Sequence, residues 1–134
     1  MSHFTKLESA NIVSAKAFEA AVRELGFTNI KHNSTTTDYY GKTIEADVVA
    51  SGAGKYDVAL KKNGEGKYDM LADWWGIRTH NNMKEFAGLD DRGIQNKILR
   101  HTTKHTIVDK YRREGYRASV QDDGKQLRIQ LSKA

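Results

Sequence analysis

Twice along this 134-residue chain a helix-patterned stretch runs into a glycine and then into strand-like residues, as ELGF at 24–27 and as REGY at 113–116. That repeated order constrains the fold more than any other feature. Before the first glycine, Ile12, Ala15, Phe18, Val22 and Leu25 step by three and four, with Ser9 or Asn11 as the candidate cap. Before the second, a longer helix reads from about 94 to 114, with the seam Ile98, His101, His105, Val108 and Tyr111. Gly26 and Gly115 each supply the left-handed residue that ends a helix. Each unit reads as β-α-β-β. Two of them predict an α+β class: an antiparallel sheet with two helices on one face, duplicated in the manner of a ferredoxin-like plait.

The strands are expected at 2–8, 27–32, 44–50, 56–61, 67–72, 116–120 and 127–131, and the whole chain, 1–134, reads as one α+β domain. The pair at 56–61 and 67–72 is the clearest hairpin, because Asn63-Gly64 between them favours a tight turn. The polar run at 33–43 reads as a loop turning at Gly41, and 83–89 as a short helix interrupted by GLDDRG. With no proline, every backbone N–H can donate, and turns fall to the 11 glycines and to Asn and Asp.

Composition removes several classes of function. There is no cysteine, so disulfides, thiolate nucleophiles and cysteine-ligated metals are excluded, which suits a reducing, cytoplasmic setting. No apolar run approaches the roughly 18–20 residues that span a bilayer, and the opening residues lack a secretory pattern. The net charge is +5, a modest excess that acquires meaning for a polyanion only if the cations cluster.

No constellation converges on catalysis. His101 and His105 have the spacing of two imidazoles on one metal, but there is no HExxH or Cys/His cluster. A third ligand would have to come from His80 or Asp73 in space, and the shared apolar seam explains both histidines without a metal. Asp90-Asp91 and Asp122-Asp123 sit in turns, where aspartate bonds to its own backbone. GAGK at 52–55 lacks the first glycine spacing of a phosphate loop and precedes a strand, so it reads as a turn. Two surfaces remain. Lys97, Arg100 and Lys104 share a helix face that could follow a phosphate backbone, or could simply be solvated. Trp74 and Trp75, in an extended stretch, would point opposite ways, one into the core and one outward.

The segments at 1–6, 24–27, 39–49 (YYGKTIEADVV), 56–75 (YDVALKKNGEGKYDMLADWW) and 105–117 (HTIVDKYRREGYR) resemble a conserved hypothetical family of cyanobacteria, red-algal-type plastids and cyanobacterial phages, a domain of unknown function. The resemblance extends to about residue 131. With ADWWGI at 72–77 it is nearer to the phage members. The chain departs from the family at 99–108, where LRHTTKHTIV replaces an aromatic-rich QRYAYHTV-like helix and keeps His105. The resemblance brings no activity and no catalytic residues. It implies the cytoplasm of a photosynthetic host, or the stroma for plastid relatives.

Together these features predict a non-enzymatic binding module, an adaptor or modulator of a host protein, without cofactor, metal or membrane. The expected contact surface is Asp73, Trp74, Trp75, Gly76 and Ile77, with Tyr39 and Tyr40 as neighbours. Nucleic-acid binding through Lys97, Arg100 and Lys104 is the alternative, and self-association through a second sheet face stays open.

Overall fold

The computed structural model describes residues 5–133, with side chains from Ile12 onward. The elements are β1 (Thr5–Ile12), α1 (Ala15–Glu24), β2 (Asn29–Thr37), β3 (Thr43–Ser51), β4 (Val58–Lys62), β5 (Tyr68–Ala72), α2 (Trp74–Gly76), α3 (Asp91–Arg113), β6 (Tyr116–Asp122) and β7 (Leu127–Lys133). The class is α+β, and the β-α-β-β order occurs twice, as β1-α1-β2-β3 and as β5-α3-β6-β7. Its leading strands, β1 and β5, lie side by side in an antiparallel five-stranded sheet of order β1-β5-β4-β3-β2, an arrangement consistent with a ferredoxin-like plait. The second unit's hairpin, β6-β7, forms a separate two-stranded sheet and packs on α3.

Local signals act where the sequence places them. Gly26, at φ 115°, closes α1: its N–H bonds Arg23 O and the N–H of Phe27 bonds Val22 O, the paired bonds that satisfy a helix's last carbonyls. Gly115 does the same service for α3 at φ 92°. The Asn63 side chain accepts from the N–H groups of Glu65 and Lys67 and so builds the β4–β5 turn.

Four expectations need correction. The cap of α1 is Ser14, whose hydroxyl accepts from Ala17 N, while Ser9 and Asn11 lie in β1. The strand expected at 2–8 is β1, and residues 2–4 of it lie outside the described residues. The polar run at 33–43 is a loop only over 38–42, where the chain turns at Gly41 as expected: Ser34 to Thr37 continue β2 opposite Ala46 to Thr43. GLDDRG interrupts the helical stretch only as far as Asp90: α3 already begins at Asp91, inside that segment and before the expected 94, with Asp90 accepting from Gly93 N at 2.7 Å.

Alternation along the central strands separates two apolar sets. Val48↔Leu60↔Met70 and Ala50↔Val58↔Ala72 line one face and pack with Phe18, Val22 and Leu25 of α1 and with Ile94 and Ile98 of α3. Val49↔Ala59 point the other way, yet are 1 % and 0 % exposed. They form a small second cluster with Ala46 of β3. Thr36 pairs with Ile44, whereas Asp57 precedes Val58, the partner of Ala50. Ile44 and Ala50 are six residues apart, about 20 Å of strand. Nevertheless Thr36 Oγ1 lies 3.5 Å from Asp57 Oδ2. The β2–β3 ribbon therefore curls back over the sheet, and its tip reaches the segment after β5.

Candidate functional site

Asp73 follows the last residue of β5 and turns the chain into α2. Its Oδ1 accepts from Gly76 N at 2.9 Å, which caps the helix. Gly76 is required by packing, since a Cβ there would come within 2.9 Å of the Tyr56 ring. The tryptophans are thus helical, not extended as expected, and successive residues point about 100° apart rather than oppositely. Trp74 is 2 % exposed and belongs to the core, whereas Trp75 is half-buried at the surface. A π-helical turn, Ile77–Asn81, follows. The Asn81 amide closes on the Tyr56 backbone, accepting from its N–H at 2.9 Å and donating to its carbonyl at 2.7 Å.

The tip of the curled ribbon completes the site. Asp38 Oδ1 accepts from the N–H groups of Tyr40 and Lys42, which fixes the turn at Gly41. Tyr39 N donates to Asp73 Oδ2 at 2.8 Å. One buried carboxylate therefore caps α2 and holds the tip. The Tyr39 ring stands edge-on to Trp75 at 5.4 Å and to Tyr40 at 5.3 Å, and His80 lies 5.2 Å from Trp75. Such edge-to-face contacts suit the ring quadrupoles. Tyr39 and Tyr40 are 48 % and 63 % exposed, among the largest exposed apolar side chains described.

Of the seven residues expected at the contact surface, Tyr39 and Tyr40 are exposed and Trp75 is half-buried. Asp73, Trp74, Gly76 and Ile77 are buried beneath them. Sequence reasoning missed His80 and the roles of Asp38, Tyr56 and Asn81. Asp38 had a local signal, an aspartate three residues before a glycine. The others become visible only once the π-helical turn is placed against Tyr56. GAGK is a turn, as expected, and no helix follows it: Gly54, at φ 132°, leaves room for Asn81, 2.8 Å from where a Cβ would stand.

On α3 the buried seam is Ile94, Ile98 and Thr102, one residue off the expected line through the histidines. His101 and His105 face α1 instead, where both meet Glu24 Oε1, at 3.4 Å and 2.5 Å. Burial pushes the Glu24 carboxyl up, but the hydrogen bonds from His105 and His101 outweigh it and leave the group below the usual range. Burial, aided by the Lys104 charge, pushes His101 down. Both groups are lowered: Glu24 by its imidazole hydrogen bonds, and His101 because burial and the Lys104 charge outweigh its own bond to Glu24. Among the described residues no group of three or more His, Cys, Asp or Glu side chains could hold a metal.

The basic strip is partly engaged within the molecule. Lys97 Nζ donates to Glu85 O at 2.6 Å and lies 3.2 Å from its carboxylate, and Arg100 Nε donates to Asp122 Oδ2 at 2.6 Å. The adjacent aspartates are structural: Asp91 pairs with Arg78, and Asp123 accepts from the N–H groups of Lys125 and Gln126. The Arg100 bond, with help from Gly124 N–H, holds the Asp122 carboxyl at about 2. A depressed folded pKa gives stability that is present above the ordinary 3.8 and lost as pH falls through about 2. Acidification from pH 4 to pH 2 is therefore expected to loosen the β6–β7 ribbon from α3. Tyr111 and Tyr116, 6.1 Å apart across that junction, report it by near-ultraviolet circular dichroism. Asp122→Asn should abolish this step of the acid transition; a step unchanged in the variant would place its origin elsewhere.

Fold and site define an α+β protein of antiparallel sheet with an aromatic patch built where a curled hairpin meets the turn after β5. The chain belongs to the family described as protein of unknown function (DUF1257), which it matches over residues 21–131. No curated protein and no solved structure matches it.

Proposed function

We propose that this protein is a non-enzymatic binding module that docks a protein partner through Tyr39, Tyr40, Trp75 and His80, as an adaptor or modulator of a host protein. The observation that carries the reading is the exposed tyrosine pair braced against Trp75 on a scaffold anchored by Asp73. Tyrosine and tryptophan supply large contact area with few torsions to freeze, and they dominate binding energy at protein interfaces. A tip already fixed by Asp38 and Asp73 loses little further freedom on docking. The likeness of its segments to proteins of cyanobacteria, plastids and cyanobacterial phages supports a photosynthetic cell as the setting, in its cytoplasm or, for plastid relatives, the stroma. No described helix is long and apolar enough to cross a membrane.

The alternative, nucleic-acid binding along α3, is weakened by the engagement of Lys97 and Arg100 with Glu85 and Asp122. Both readings meet in one experiment. The wild type and a folded Tyr39→Ala/Trp75→Ala variant are used as bait in a nuclease-treated cyanobacterial lysate, and any captured protein is purified and titrated directly. A partner bound by the wild type and weakened at least tenfold by the variant is expected, equivalent to about 1.4 kcal/mol or more. Equal binding by the two baits would remove the patch, and capture lost on nuclease treatment would move the function to α3.

A further inference from the structure

Away from the aromatic patch, α3 forms one wall of an open cleft of about 1110 Å³; the other walls are the Lys84–Phe86 turn and the Asp122–Gly124 turn of the ribbon. Four cationic side chains line it, Lys84, Lys97, Arg100 and Lys104, against two carboxylates, Glu85 and Asp122. The carboxylates are taken by Lys97 and Arg100. Lys84 and Lys104 have no ion-pair partner among the described residues, so the unbalanced charge of the cleft sits on them. Lys104 is close enough to lower both Asp122 and His101.

Arg100 adds a directional element. Asp122 fixes its guanidinium through Nε, and its Nη2 is covered and has no hydrogen-bond acceptor among the described residues. A covered charged donor without an acceptor is costly, and a guanidinium fork suits the oxygens of a phosphate. Lys84, Lys97 and Lys104 line the same cleft as Arg100, and binding through Nη2 requires the groups that now cover it to move aside.

We propose that this cleft binds a small phosphate-bearing ligand, a phosphate monoester or a pyrophosphate, between Lys84, Lys104 and the inner nitrogen of Arg100. Glu85 and Asp122 stand beside the cations and break the basic track that a nucleic-acid backbone would follow, whereas a compact anion can sit on the unpaired lysines alone. The site is separate from the aromatic patch and independent of the protein-docking reading.

The test is calorimetric titration of the full chain with inorganic pyrophosphate at low ionic strength, with amide chemical shifts followed in parallel. Saturable one-site binding is expected, with shifts confined to residues 84–87, 97–104 and 122–124. Lys104→Ala and Lys84→Ala, with circular dichroism unchanged, should each weaken it about five- to tenfold, the loss of one charged contact. Arg100→Lys keeps the charge but removes the fork, and should weaken binding as well. Non-saturating shifts, or wild-type affinity retained in both lysine variants, would overturn the site. So would single-stranded oligonucleotides that bind more tightly than pyrophosphate and gain affinity with length, because the ligand would then be a polymer.

Discussion

Replacing Trp74 by alanine should cost about 3–5 kcal/mol, whereas the same change at its neighbour Trp75 should cost about 1 kcal/mol or less. Trp74 is 2 % exposed within the core that joins both helices to the sheet, so its removal leaves a cavity the size of an indole. Trp75 rests between Tyr39 and His80 at the surface, and its loss forfeits ring contacts but opens no void. Against a total stability of typically about 5–15 kcal/mol, the first change lowers the urea midpoint severely and the second barely moves it. Single-tryptophan variants give an independent reading. Trp75→Phe leaves a chain whose emission is blue-shifted and shielded from acrylamide, and Trp74→Phe leaves one that is red-shifted and quenched. Similar costs and similar quenching for the two residues would contradict the placement.

Asp73→Ala should be the second large effect, about 2–4 kcal/mol, although it removes no apolar volume. The carboxylate is 1 % exposed and accepts from Gly76 N and Tyr39 N, two residues on opposite sides of the site. Loss of a helix cap costs about 1 kcal/mol, and a charged hydrogen bond lost at a part-buried amide costs about 1.5–3 kcal/mol. Asp73→Asn keeps one acceptor oxygen and should cost about half as much. Hydrogen exchange at the Tyr39 amide separates this mechanism from general destabilisation. It should accelerate in both Asp73 variants well beyond the change at the Leu60 amide in the core. Uniform acceleration would mean that Asp73 is only a cap. Because the same bond holds the aromatic tip, partner binding should fall with it.

How the sequence bears on these residues differs from element to element. The ends of α1 and α3 were legible because a C′ glycine acts on carbonyls only three or four residues away. The β4–β5 hairpin was legible for the same reason, its turn being closed by Asn63 on its own neighbours. The start of α3 was open to the same reasoning, since Asp90 and Gly93 form a local cap, but the paired aspartates looked like a break. The extension of β2 through Ser34–Thr37 was not legible. A polar threonine run becomes a strand only when a partner strand faces it, and that partner is reached through tertiary pairing.

The site divides along the same line. That Trp74 and Trp75 would play different parts follows from any regular backbone, because adjacent side chains diverge. Which ring is buried depends on Asp73 starting a helix, a choice made against Tyr56 and Tyr39, 17 and 34 residues away in the chain. The basic face of α3 was visible as a stripe, but its partners Glu85 and Asp122 come from a turn and a ribbon that only folding brings alongside. The sequence alone determined the α+β class, the two β-α-β-β units, the helix stops and the tight turns, since these rest on propensity and on bonds within about four residues. The tertiary structure decided the sheet order, the separate β6–β7 ribbon, the back-curl of β2–β3 and the aromatic patch. Each of those rests on contacts between distant segments, whose closure entropy and packing are set by the whole chain and by no local run of residues.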